Sequence, residues 1–191
     1  YSTITIIINL ERRYDNMRIK ALTIFLTLTL ILAITMPLSQ GNSSGRHNSG
    51  SSGCSCHGGA SSSVTATENF PAEYDPSSSG YSITIGFTGG SGSGGGFSLQ
   101  VNKGTLSNAG ANMQISGSSA THSGSSGTSW TFTWTPPATG SGDVTVNLAI
   151  MNANRNGGNS GDVWSKTTFT ITELVATDTD GDGVPDSSDA F

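Results

Sequence analysis

Charged residues make up only 11% of the 191 residues, and the chain has two cysteines and six prolines. So little charge excludes a highly charged disordered tail as the main body. A net charge of −5 excludes the basic footprint that a nucleic-acid partner requires, and no nucleic acid is expected. Two cysteines are too few for a disulfide-stapled scaffold. Leu, Ala, Glu and Lys are too sparse for a helical protein, and turn formers too many for an α/β enzyme. The one G-x-S-x-G match, Gly41–Gly45, lies in the Gly/Ser segment and at no strand-to-helix elbow, and no second histidine-rich cluster occurs, so no enzyme is expected.

Glycine contributes 26 residues, and Ser, Thr and Asn fill much of the remainder. Apolar residues sit in short runs between Gly/Ser stretches, the pattern of an all-β domain with many turns. Alternation with period two marks strands at Val64–Thr67, Tyr81–Phe87, Phe97–Val101, Trp130–Trp134, Val144–Ile150 and Trp164–Ile171, with Met113–Ile115 as a further edge strand. Alternation means one buried and one wet face, as in two antiparallel sheets packed together. The expected fold is therefore all-β, an immunoglobulin-like antiparallel β-sandwich. Trp130, Phe132 and Trp134 share one strand face and read as core.

The N-terminus carries an export pattern. Met17-Arg18-Ile19-Lys20 supplies a start and a positive region, Ala21–Met36 an apolar run, and Ser39 and Gly41 the small residues of a cleavage site. The run is diluted by four threonines and short for a spanning helix, so a cleaved signal peptide over 17–41 is expected in preference to an uncleaved anchor. Residues 1–16 lack a starting Met and read as upstream translation. The organisation that follows is a Gly/Ser linker at 42–62, a sandwich at 63–173 and a short acidic segment at 174–191. The product is expected to be secreted or held at the cell surface, touching a membrane only through an anchor beyond Phe191, where the chain stops inside a motif.

Other segments read as connections. Gly90–Gly95 satisfies G-x-G-x-x-G but leads into a strand, so it is expected to be a flexible hairpin loop and no pyrophosphate site. Asn152–Asp162 is a long polar loop, read as a solvated connector.

Two segments carry chemistry. Asp178, Asp180, Asp182, Asp186 and Asp189 occupy positions 1, 3, 5, 9 and 12 of a twelve-residue loop, with Gly183 at the turn and the Val184 carbonyl available. Alternating acids on a tight loop converge on calcium, which takes about six to eight oxygens. Cys54-Ser55-Cys56-His57 is the second. A disulfide between residues i and i+2 is strained. A structural zinc site wants about four ligands, and three are local, with His47 a distant fourth. The arrangement most resembles a haem c attachment motif, which has one more residue between its cysteines. Haem, copper, zinc or paired thiols all remain open there.

Asp-x-Asp-x-Asp-Gly-x-Pro-Asp-x-x-Asp-x-Phe, over residues 178–191, resembles a thrombospondin type 3 repeat, which implies a calcium-stiffened spacer. Gly53–Gly58, Gly96–Leu99, Ala120–His122, Trp130–Pro137 and Asn152–Asp162 together resemble the choice-of-anchor V domain of prokaryotic surface proteins, related to the animal Reeler domain. That resemblance implies an immunoglobulin-like sandwich, and it aligns Cys54, Cys56 and His57 with a cysteine–histidine segment. It also aligns His122 with a loop histidine, which makes His122 a conceivable second axial ligand. The functional expectation is a non-enzymatic display or adhesion module that meets cell-surface or extracellular-matrix components and calcium. The alternative is an extracellular monohaem c-type electron-transfer protein.

Overall fold

The computed structural model describes residues 2–35, 42–175, 179–181 and 186. It forms two compact units, residues 1–39 and residues 40–191. The first contains one continuous helix, α1 (Ser2–Thr35). Thr23 and Thr27 need partners in an apolar stretch and find them in their own helix. The hydroxyls of Thr23 and Thr27 donate to the carbonyls of Ile19 and Thr23, at 2.8 and 3.0 Å. Among the described residues no helix is long and apolar enough to cross a membrane.

The second unit is a β-sandwich. Its strands are β1 (Val64–Glu68), β2 (Glu73–Tyr74), β3 (Tyr81–Gly89), β4 (Gly94–Val101), β5 (Thr105–Ser107), β6 (Met113–Ser116), β7 (Ser119–His122), β8 (Ser129–Thr135), β9 (Val144–Ala153) and β10 (Val163–Glu173). One sheet has the order β1-β3-β8-β5 and the other β2-β10-β9-β4-β7-β6. All pairings are antiparallel except the short parallel pair of β2 with β10. Every alternating run expected to be a strand is one, and Met113–Ile115 does lie in a sheet edge, β6.

Alternation places Ile83, Ile85, Trp130, Phe132 and Trp134 of the smaller sheet against Phe97, Leu99, Val146, Leu148 and Ile150 of the larger, all essentially buried. Phe97 and Trp130 meet across the layers with ring centroids 4.7 Å apart. Trp130 and Trp134 each donate the indole N–H to a loop carbonyl, of Asn112 and Lys103 respectively. Large rings thereby enter the core without an unsatisfied donor.

Two expectations are corrected. Gly90–Gly95 is not a hairpin loop, because β3 and β4 lie in different sheets and this stretch crosses between them. Gly94 and Gly95 belong to β4 itself, paired with Ala153 and Asn152. A Cβ on Gly95 would strike the Met151 carbonyl and the Phe87 ring, so the run is bare because neighbours approach closely.

The outer face of the larger sheet is only partly wet, with Lys166, Thr168 and Thr170 of β10 exposed but most of β4, β7 and β9 covered. The Gly/Ser segment read as a flexible linker runs across its outer side as a strap. The Gln114 amide of β6 donates to the Ser44 carbonyl (2.6 Å). The strap N–H groups of Arg46 and Asn48 donate to the hydroxyls of Thr121 and Ser119 on β7, and that of Ser49 donates to the Ser98 hydroxyl on β4, each at 3.1 Å. Gly50 passes over the Asn147 carbonyl of β9, and the Lys166 ammonium of β10 donates to the Ser51 carbonyl (2.7 Å). The strap thus crosses β6, β7, β4, β9 and β10 in their sheet order. Gly45, Gly50 and Gly53 in it serve contact and not slack. A Cβ on Gly50 would collide with that carbonyl, and one on Gly53 (φ +81°) would collide with the Trp164 indole.

Candidate functional site

Past Gly53 the strap turns through a single 3-10 turn, Ser55–His57, which brings the cysteines and His57 to one end of the outer face. Cys54 is partly buried and packs against a small cluster of Met151, Ala153 and Trp164. Burial, with the neighbouring Cys56 thiol second, pushes the Cys54 thiol up to about 12, so it stays protonated at neutral pH. Cys56 is exposed, and the two cysteines are not bonded to each other.

His57 is held from 105 residues away in sequence. Its Nδ1 lies 2.7 Å from Oδ2 of Asp162, whose side chain is 3% exposed. The other oxygen of Asp162 accepts the Asn154 N–H at 2.9 Å. The loop between β9 and β10 is therefore a brace, where the sequence suggested a solvated connector. Asn154 and Asn156 both donate to the Ser160 carbonyl, closing the loop on itself, and Asn159 donates to the Cys56 carbonyl at 2.6 Å. An Asp on Nδ1 fixes the ring and leaves Nε2 as the nitrogen presented outward, the usual way of orienting a ligating histidine.

His122, at the end of β7, reaches the same place. His57, His122, Met151 and Asn42 line both a cleft of about 620 Å³ and an adjoining one of about 260 Å³. The two histidines aligned on separate segments of the sequence thus face one space. Yet both nitrogens of His122 have partners. Nδ1 lies 3.0 Å from the Phe97 N–H, and Nε2 lies 3.3 Å from the Asn42 carbonyl. The tautomer protonated at Nε2 satisfies both bonds, and it ties the β4–β7 ladder to the start of the strap. A Cβ on Gly96 would fall 2.5 Å from this ring, so β4 is shaped around it. Burial lowers the His122 pKa below its ordinary value, opposed by its bonds to Phe97 and Asn42 and assisted by His57.

A testable consequence follows for stability. A folded-state histidine pKa below the unfolded value means that protons favour the unfolded chain. Stability from His122 is full above the unfolded value, about 6.5. It declines as pH falls from there to the folded value. Urea midpoints measured across that interval should fall in the parent and stay flatter in His122→Gln; equal slopes would remove the assignment.

Among the described residues, no three His, Cys, Asp or Glu side chains are grouped so as to hold a metal ion. For the calcium ladder, Asp178, Asp182, Val184 and Asp189 lie outside the described residues. Of the others, Asp186 accepts both the N–H and the hydroxyl of Thr179, at 2.7 and 2.6 Å. Those bonds lower its pKa. Asp180 is described at an adjacent position of the same stretch.

No known family profile matches the sequence, and no curated protein matches it. Solved structures do. The reeler domain of human F-spondin (fragment 1) is similar with a TM-score of 0.45 and 17% identity, over 60% of this chain and 91% of that one. The Reelin-N domain of F-spondin gives a TM-score of 0.42 and 15% identity, over 69% and 94%. Fragment 2 of the human reeler domain gives 0.41 and 17%, over 63% and 99%. Met151, Asp162 and Trp164 were not singled out as site residues by sequence reasoning. Trp164 reads as an ordinary strand residue and Asp162 as part of a polar loop, and Met151 falls between that loop and the strand before it.

Proposed function

We propose that the chain is an exported, non-enzymatic display module of the adhesion type, presented outside the cell on a calcium-stiffened segment. The observation that carries this reading is the strap. The residues directly after the export pattern are bonded to four strands and pass closely over a fifth, so the domain is built from the expected start of the mature chain. Its hydroxyl- and amide-rich sequence suits a module that meets cell-surface or matrix components through polar contacts. Expression with residues 17–191 and protease treatment of intact cells test it: retention inside the cell, uncleaved, would exclude the reading.

The calcium-binding part rests on the twelve-residue register of Asp178–Asp189. Titration calorimetry of the exported protein should show calcium binding, and Asp182→Ala should abolish it, since one of five converging carboxylates is lost from the loop. Unchanged binding in that variant would make the segment a solubilising tail.

A second reading, a monohaem c-type electron-transfer protein, is favoured by one observation. Asp162 orients His57 as the histidine of such a motif needs. Co-expression with a haem-attachment system decides it through the presence or absence of a Soret band.

A further inference from the structure

The cleft beside the 3-10 turn collects sulfur. Cys54, Cys56 and Met151 all line the same space of about 620 Å³, although Met151 is nearly a hundred residues away on β9. Cys54 packs on the cluster that contains Met151. Met151 is 8% exposed, so its thioether sits at the cleft wall and not in bulk water. His57 also lines this space, with its Nδ1 held by Asp162.

This donor set discriminates among metals. Thiolate and thioether sulfur are soft ligands that select monovalent copper, whereas calcium, magnesium and manganese want oxygen. Zinc would want about four nitrogen or sulfur donors in a tetrahedron, and the described residues offer no cluster of three His, Cys, Asp or Glu. Copper(I) accepts low coordination, so two cysteines and a methionine suffice without a third residue of those types. His122 is spent on Phe97 and Asn42.

We infer that this cleft is a copper(I) site, with the thiolates of Cys54 and Cys56 and the thioether of Met151 as its ligands. Each cysteine thiol gives up its proton to solvent as its sulfur binds the ion, and no electron is transferred. The exposed Cys56 side chain closes onto the ion, and Cys54 is already seated beside Met151. This inference does not depend on the display reading, and it names a different occupant from haem.

The test is anaerobic titration of the reduced, folded protein with copper(I) against a colorimetric copper(I) chelator. The expected result is one equivalent bound, with ultraviolet thiolate-to-copper absorption and a shifted Met151 methyl resonance. Cys56→Ser and Met151→Leu should each lose the one-to-one endpoint, with circular dichroism verifying that they are folded. His122→Gln should bind like the parent. The inference is overturned by an unshifted methyl resonance with parent-like binding in Met151→Leu, by loss of binding in His122→Gln, by tighter zinc than copper binding, or by covalent haem on Cys54 and Cys56.

Discussion

Replacing Trp164 with alanine is expected to destabilise the sandwich unit by about 3–5 kcal/mol, the usual range for losing a buried large aromatic. The indole is 5% exposed and packs with Met151 and Ala153, where Cys54 joins them. It is also the post on which the strap turns. Gly53 lies against the ring, the indole N–H donates to the Gly58 carbonyl at 2.9 Å, and the Trp164 backbone carbonyl accepts the Ser61 N–H at 2.8 Å. Alanine would remove the packing and leave the Gly58 carbonyl without its donor. The strap offers no other large apolar side chain between Asn42 and Ser63, so little else could take up the loss. Chemical denaturation gives the magnitude, and hydrogen exchange at Gly53–Ser61 shows whether the strap loosens first. Trp164→Phe should cost less, keeping most of the packing and losing a hydrogen bond worth about 1 kcal/mol. A parent-like melt in Trp164→Ala would mean that the strap does not depend on this contact.

Which parts of this architecture could be read from sequence depends on which interactions leave a periodic trace. The strands β3, β8, β9 and β10 are long, alternate cleanly and were readable as strands with their buried faces. The strands β2, β5 and β7 were not. They span two to four residues, too short for a period to show, and β7 reads Ser-Ala-Thr-His, which composition assigns to a loop. The strap was misread for a deeper reason. Composition treats Gly and Ser as slack, but here glycine stands at crossings where a Cβ would collide, and serine or threonine supplies an acceptor beneath. Ser98, Ser119 and Thr121 are buried polar residues whose partners the strap supplies, but that burial shows only in the fold. The Cys-Ser-Cys-His segment was legible as chemistry. Its partners Asp162 and Met151 were not, because nothing local in the chain announces a contact over about a hundred residues.

Removing the hydroxyls under the strap is the second large effect expected. Each of them works twice. The Thr121 hydroxyl donates to the Phe97 carbonyl at 2.7 Å while accepting the Arg46 N–H, and the Ser119 hydroxyl donates to the Leu99 carbonyl at 3.0 Å while accepting the Asn48 N–H. Both side chains are buried, at 0% and 1% exposure. Thr121→Val keeps the shape and removes the oxygen, leaving a strand carbonyl and a strap amide short of a partner at once. Stranding a buried polar group costs about 1–3 kcal/mol, so each substitution should fall in that range or above it. The pair shares one strap segment, so Thr121→Val with Ser119→Ala should deviate from additivity. Once one anchor is lost the segment can lift, and the second substitution then removes less. Amide exchange at Arg46 and Asn48 should accelerate in both single variants. The same exchange at Ile83 and Phe132, inside the sandwich core, should rise only through global unfolding. If Arg46 and Asn48 exchange as slowly in the double variant as in the parent, the Thr121 and Ser119 hydroxyls do not hold the strap. Close packing at Gly50 and Gly53 would then carry its attachment, together with the bonds to Gln114, Lys166, Trp164 and Ser98.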